Sequence, residues 1–320
     1  MPMLDMPIEE LKLYPGISPR PDDFDDYWAK AIAEMNEVEP QVTLTKAEFQ
    51  APFADCYDMY FTGVRGARIY SKLIVPKQIR GKCPAVVNFH GYYDNSGDWA
   101  DKLPYAAAGF VVAAMDCRGQ GGRSEDTGGA KGDTIQGHII RGVWNQDPQD
   151  ILMRHIFLDS AELVKIVSAM EEVDPARIGA YGGSQGGGIT LACSALSPIK
   201  RLSPCFPFLS DYRRVWEMDL DKQAYVEIRE YFRRFDPQHK TEEEFFRRLG
   251  YIDVHNLAPR ITGSVLMCVT LLDECCPPST QFAAYNNIRS EKEMRIYYDY
   301  GHEWPLRGYF DHTFRHLLGL

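Results

Sequence analysis

A serine with glycine two residues before and two residues after it is one of the few settings that turn a plain hydroxyl into a nucleophile. Gly182-Gly-Ser-Gln-Gly186 has that form, with Ser184 at its centre. The segment follows the apolar run Arg177-Ile-Gly-Ala-Tyr181 and precedes a helix-like stretch, Gly187 to Leu196. The sequence therefore predicts a strand, a sharp turn carrying Ser184, and a helix. Such a turn holds the serine in a strained backbone conformation and leaves no room for side chains two residues away. The helix N-terminus then directs free N–H groups and the positive end of its dipole at a developing oxyanion. A Gly-rich turn with an inert serine is the bland alternative. A phosphate cradle is another, but G-x-x-x-x-G-K-[ST] needs a lysine that this segment lacks.

A nucleophile on such a turn has its partners in the chain order Ser, then Asp or Glu, then His. His239, His255, His302, His312 and His316 lie after Ser184. The base must sit on a loop beyond the last sheet strand. Only His302, in Tyr300-Gly-His-Glu-Trp304 after the strand-like Met294 to Asp299, meets that condition. The acid should end the preceding strand, which singles out Asp273 after Val265 to Leu272 and before Pro277-Pro278. Asp299 and Glu274 are the competing carboxylates, and helix capping is the ordinary alternative role for Asp273. In these roles Asp273 holds the His302 tautomer, His302 takes the serine proton, and Ser184 attacks a carbonyl. The oxyanion donors expected are the backbone N–H groups of Gln185, next after the nucleophile, and of Tyr92, in the loop Phe89-His-Gly-Tyr92. His90 precedes the nucleophile in the chain and is read as structural.

These residues need a scaffold of buried strands. From residue 84 onward short apolar runs (Ala85 to Phe89, Phe110 to Met115, Arg177 to Tyr181, Val265 to Leu272, Met294 to Tyr298) alternate with helix-length segments. Continuous apolar runs suit strands covered on both faces, as in a parallel sheet between helices. The pattern predicts a single α/β domain over residues 1–320, of the α/β-hydrolase fold, with a mostly parallel central sheet. Ile156, Ser160, Leu163, Val167 and Met170 have the spacing of a crossover helix. Residues 1–40 read as an N-terminal arm with a helix starting near Asp22-Asp23. Residues 41–75 read as antiparallel edge strands turning at Gly63 and Gly66, and the charged, aromatic-rich 211–255 segment as a helical, cap-like insertion.

With a formal net charge of −10, the chain is an unsuitable partner for nucleic acid or an anionic membrane. Its N-terminus has no basic start followed by an apolar stretch, and no apolar run approaches the ~20 residues of a membrane span. The eight cysteines form no CxxC pair, which points to free thiols in a reducing cytoplasm. No HExxH, no Cys/His cluster and no GxGxxG fingerprint is present, so neither a metal nor an organic cofactor is expected. The Gly-rich window Gln120 to Asp133 reads as a loop near the site.

Arg118-Gly-Gln120, Gly182-Gly-Ser-Gln-Gly186 and His302-Glu303 occur in that order, with Asp273-Glu-Cys-Cys-Pro-Pro-Ser279 between the last two. This combination resembles the acetyl xylan esterase / cephalosporin C deacetylase family, carbohydrate esterase family seven, over the whole chain from Leu13-Tyr-Pro-Gly16 onward. The resemblance implies Ser184, Asp273 and His302 as a triad and Tyr92 and Gln185 as oxyanion donors. It also implies deacetylation of short xylo-oligosaccharides and of small esters such as cephalosporin C, by a cytoplasmic homohexamer with no cofactor. Arg118, Gly119, Gln120 and Glu303 are read as structural support for the site. The alternatives are another short-chain carboxylesterase or peptidase-type hydrolase of the same fold, or a non-catalytic ligand-binding protein.

Overall fold

The computed structural model describes residues 4–127 and 136–320. The last part of the Gln120–Asp133 loop and the first three residues of the chain lie outside that range. The strands are β1 (Thr43–Lys46), β2 (Ala54–Thr62), β3 (Arg68–Pro76), β4 (Cys83–Phe89), β5 (Val111–Met115), β6 (Val173–Gly183), β7 (Arg201–Cys205), β8 (Ser264–Thr270) and β9 (Lys292–Tyr297). They form one nine-stranded sheet in the order β1-β2-β3-β5-β4-β6-β7-β8-β9. The pairs β1–β2, β2–β3 and β3–β5 are antiparallel, and every pair from β5 across to β9 is parallel. This is the α/β-hydrolase arrangement that the alternation of apolar runs and helices predicts.

Burial follows the sequence pattern strand by strand. β5 is buried at every residue, as an all-apolar inner strand requires. β1, at the open edge, is exposed throughout. Successive residues of β4 serve opposite faces. Ala85, Val87 and Phe89 join the core beneath the helices Leu152–Ser168 and Gln185–Leu196, whereas Val86 packs with Tyr105, Ala106 and Leu317 on the other face. The predicted crossover helix is Leu152–Ser168, and the arm helix is Phe24–Asn36, with Phe24, Tyr27 and Trp28 buried.

β7 is absent from the sequence-based reading. Arg-Leu-Ser-Pro-Cys is short, and proline in a central strand argues against such an assignment. Pro204 pairs opposite Gly182 on β6, while on the β8 side the register is kept but the pairing skips Ser203 and Pro204. The ladder tolerates the missing N–H by losing rungs where proline sits.

The arm is held by a buried carboxylate. Asp211 accepts hydrogen bonds from Tyr14 Oη at 2.7 Å and from the amides of Ile17 at 3.1 Å and Ser18 at 2.8 Å. Residues 211–255 form helices Tyr212–Glu217, Val226–Phe235, Glu242–Leu249 and Val254–Leu257. Phe232, Phe245 and Phe246 are buried among them and pack ring against ring.

Glu162 lies within the helix Leu152–Ser168 and is fully buried, and neither carboxylate oxygen has a hydrogen-bond partner. Burial, together with the charge of Asp159, pushes its pKa up to about 8. The folded chain thus keeps a proton that the unfolded chain loses near the ordinary carboxylate value, and stability falls as pH rises between the two. We expect the urea midpoint of the wild type to drop from pH 5 to pH 8 relative to Glu162→Leu. The difference should grow by at most ~1.4 kcal/mol per pH unit, and parallel pH dependences would refute this reading.

Candidate active site

The turn between β6 and the helix Gln185–Leu196 holds Ser184 at φ 55° and ψ −119°, outside the regions that L-residues prefer. The conformation is over-determined by its neighbours. The Ser184 amide donates to the Cys205 carbonyl at 3.0 Å, and its own carbonyl accepts from Gly188 and Phe208, each at 3.0 Å. The flanking glycines are required by contact with β4. A Cβ on Gly186 would stand 2.1 Å from the Phe89 carbonyl oxygen, and one on Gly182 2.6 Å from it.

Three of the expected side chains meet above this turn. His302 Nε2 lies 3.0 Å from Ser184 Oγ, and His302 Nδ1 lies 2.8 Å from Asp273 Oδ2. Asp273 is fully buried. Its Oδ1 accepts from the amides of Cys275 at 2.9 Å and Cys276 at 2.7 Å, and its Oδ2 also accepts from Thr270 Oγ1 at 3.1 Å. The carboxylate is therefore aimed by its own turn, with one lone pair directed at the imidazole. The competing Glu274 and Asp299 are both exposed. Burial pulls the His302 pKa down, but the hydrogen bond and charge of Asp273 outweigh it, and the net shift is upward from the ordinary histidine value.

Tyr92 lies in the loop after β4, and Gln185 directly follows Ser184. Gln185 is the first residue of its helix, so its N–H has no intrahelical acceptor. The Tyr92 hydroxyl donates to Glu227, whose other oxygen accepts from the Ile139 and Ile140 amides at 2.9 and 3.0 Å. Glu227 belongs to the 211–255 insertion and escapes sequence reasoning. It is separated by 135 residues from Tyr92, and no local pattern marks it.

The Arg118-Gly-Gln120 turn acts at one remove. Arg118 makes a buried two-pronged pair with Asp159, Nε to Oδ2 at 2.7 Å and Nη2 to Oδ1 at 2.6 Å, and also donates to the Val64 carbonyl. Gly119 has φ +67° and its carbonyl oxygen lies 2.9 Å from His138 Nε2. Gln120 exchanges amide hydrogen bonds with the Gln185 side chain at 2.7 and 3.0 Å and accepts from the Tyr93 amide at 3.1 Å. His90 accepts from the Cys117 amide at Nε2, 2.9 Å, so its proton sits on Nδ1 and is donated to the Gly91 carbonyl at 2.7 Å. Glu303 accepts from the Gly301 amide at 3.0 Å and braces the loop of His302.

Ser184 opens into a pocket of about 370 Å³ whose walls include Phe206, His302, Trp304 and Phe310, with Asp94, Asn95, Lys102 and Glu303 among its polar groups. Residues 211–255 contribute nothing to that lining. The insertion instead reaches the site from behind, through Glu227 on Tyr92 and Tyr225 against Phe208.

A hydroxyl, an imidazole and a buried carboxylate in hydrogen-bonded sequence, on a strained strand-to-helix turn, define an ester- or amide-cleaving α/β-hydrolase. The sequence model of the acetyl xylan esterase (AXE1) family matches residues 1–318. Acetyl xylan esterase 1 from Thermoanaerobacterium sp. JW/SL YS485 is 57% identical, with a TM-score of 0.95 over 99% of both chains. The acetyl xylan esterase from Paenibacillus sp. R4 is 37% identical, with a TM-score of 0.91 over 98% of this chain and 99% of the other. Acetyl esterase Axe7A of Xylanibacter ruminicola is 28% identical over 291 residues, 86% of this chain, which spans 62% of that relative's length. The chain belongs to the acetyl xylan esterase family and is a carboxylic ester hydrolase.

The 2.1 Å approach of a Cβ at position 186 to backbone cannot be relieved by rotating a side chain. Gly186→Ala is expected to lower stability by roughly 1–3 kcal/mol and to cut hydrolysis of p-nitrophenyl acetate at least tenfold. Thermal melting and initial rates check both, and a variant with unchanged melting and rate would mean that the turn has slack.

Proposed function

We propose that Ser184, His302 and Asp273 are a catalytic triad and that the chain removes acetyl groups from small esters, acetylated xylo-oligosaccharides and cephalosporin C among them. The observation that carries this reading is the 3.0 Å contact from His302 Nε2 to Ser184 Oγ, with the other imidazole nitrogen 2.8 Å from buried Asp273. His302 accepts the serine proton as Oγ attacks the acetyl carbonyl. The amides of Tyr92 and Gln185 receive the oxyanion, and the imidazolium protonates the departing alcohol. Water then attacks the acetyl-enzyme by the reverse proton path, releasing acetate. The mixed aromatic and polar lining of the pocket supports a sugar on the alcohol side, since pyranose faces pack on rings while hydroxyls seek polar groups.

The chain works as one domain, whose 211–255 insertion supports the oxyanion corner through Glu227. The fully exposed edge strand β1, with Val42, Leu44, Phe49 and Phe53 exposed around it, supports self-association as a homohexamer. The eight free thiols support residence in a reducing cytoplasm. No helix among the described residues is long and apolar enough to cross a membrane.

Acetate release from p-nitrophenyl acetate, acetylated xylo-oligosaccharides and cephalosporin C, measured alongside longer acyl esters, tests the function. We expect a steep fall beyond propionate and loss of turnover in Ser184→Ala with the fold intact; a Ser184→Ala enzyme that keeps most activity would overturn the triad. A base must be neutral, so kcat/KM should rise with pH through a His302 pKa lying above the ordinary histidine value. Asp273→Asn removes the interactions that raise it. That variant should lower kcat by about 10⁴-fold and move the acid limb to lower pH. Light scattering after size exclusion should give six chains per particle, and a monodisperse monomer would refute the assembly.

A further inference from the structure

Asp273 is followed by two adjacent cysteines whose place in the fold no sequence spacing reveals. Both amides bind Asp273 Oδ1, so the turn winds around that carboxylate and carries both thiols to the underside of His302. Cys275 Sγ, Cys276 Sγ and a ring nitrogen of His302 all lie within 4.8 Å of one another. Both thiols are buried and uncrosslinked, and the His302 side chain is 26% exposed, which leaves an approach from the pocket. Donation of the His302 Nδ1 proton to Asp273 leaves Nε2 as the unprotonated acceptor, facing the Ser184 hydroxyl at 3.0 Å, which a metal ion would displace. The same carboxylate–imidazole arrangement orients histidines that ligate metals.

We propose that Cys275, Cys276 and His302 form a binding site for a soft divalent ion of the zinc group, and that the ion silences the esterase by occupying His302 Nε2. Two thiols and one neutral imidazole bind M²⁺ as two thiolates and a nitrogen donor, and the two thiol protons pass to solvent. No oxidant or reductant takes part. Ligand atoms around a tetrahedral zinc-type ion stand about 3.6–3.8 Å apart, so the cluster closes by a contraction of roughly 1 Å at most. The fourth position falls to water or to the Ser184 hydroxyl, which a metal-bound His302 no longer deprotonates. The binding half of the proposal stands on the cluster alone, whereas the inhibitory half rests on the triad reading above.

Cadmium ion is the probe, titrated into the intact protein and followed both by the ultraviolet sulfur-to-cadmium absorption band and by ester hydrolysis. We expect the band to saturate at one equivalent per chain, activity to fall in parallel, and a chelator to restore it. Cys275→Ala, and Cys275→Ser as a control for packing, should keep basal hydrolysis while raising the cadmium concentration for half-inhibition roughly tenfold or more. A band or an inhibition constant unchanged in both variants would place the ion elsewhere and sink the site. A saturating band with full activity would leave the site standing and remove the inhibition. Because the band is read without turnover, failure of the esterase reading does not mask failure of the site.

Discussion

The site depends on one buried carboxylate. A charge without solvent contact is tolerated only where its lone pairs are taken up by donors. Asp273 has two backbone amides and a threonine hydroxyl arranged around it, and Gln281 Nε2 stands 3.5 Å away. Those donors belong to the end of β8, the following turn and the helix Pro278–Asn287. Satisfying the carboxylate therefore docks the helix onto the strand, and the remaining lone pair sets the orientation of His302. A helix-capping role, the bland alternative for this residue, is half correct. Asp273 does cap backbone amides, but those of the turn before the helix, and this is what frees Oδ2 for the imidazole.

The serine side is rigid for a different reason. Its strained dihedrals are held by three backbone hydrogen bonds, one within its own helix and two that run to β7 and the segment after it, so the strand that contains proline also helps to lock the turn. Around this corner the loops are cross-braced by side chains with no part in the chemistry. His90 ties the loop after β4 to that after β5, and Gln120 ties the latter to Gln185. Glu227 fastens Tyr92 from the insertion. Shifts of a few tenths of an ångström at a reacting centre are costly, and such bracing is the usual means of preventing them.

What was legible in the sequence is what chain order and strand ends determine. Ser184, His302 and Asp273 each follow a strand, and a parallel sheet brings all strand C-termini to one edge, so three positions far apart in sequence had to converge. The choice of Asp273 over Glu274 was not settled by order. It follows from the turn, which buries one carboxylate and leaves its neighbour exposed. β7 was hidden because Pro204 breaks the propensity on which strand reading rests. Asp159, Glu227 and the thiols beneath His302 were hidden because their partners come from distant segments. The sequence shows no Cys/His cluster, yet the fold makes one from residues 275, 276 and 302.

The two sides of Ser184 differ in a way that bears on which esters it takes. On one side lies the pocket, with Trp304 and Phe310 about half exposed at 51% and 53% and charged groups among its lining. On the other, the Cys276 thiol beside His302 is fully buried, and so are Phe208, whose amide donates to the Ser184 carbonyl, and Tyr225, whose ring packs on Phe208. An acyl chain directed to that side would need space that packed side chains already fill, and core packing at such density yields little to an extra methylene. A small acyl group held against a closed wall, with the larger alcohol in the open pocket, is the division of space that supports acetyl esters as substrates. That closed wall includes the Cys276 thiol, so one residue that limits the acyl group is also one that would present sulfur to a metal ion.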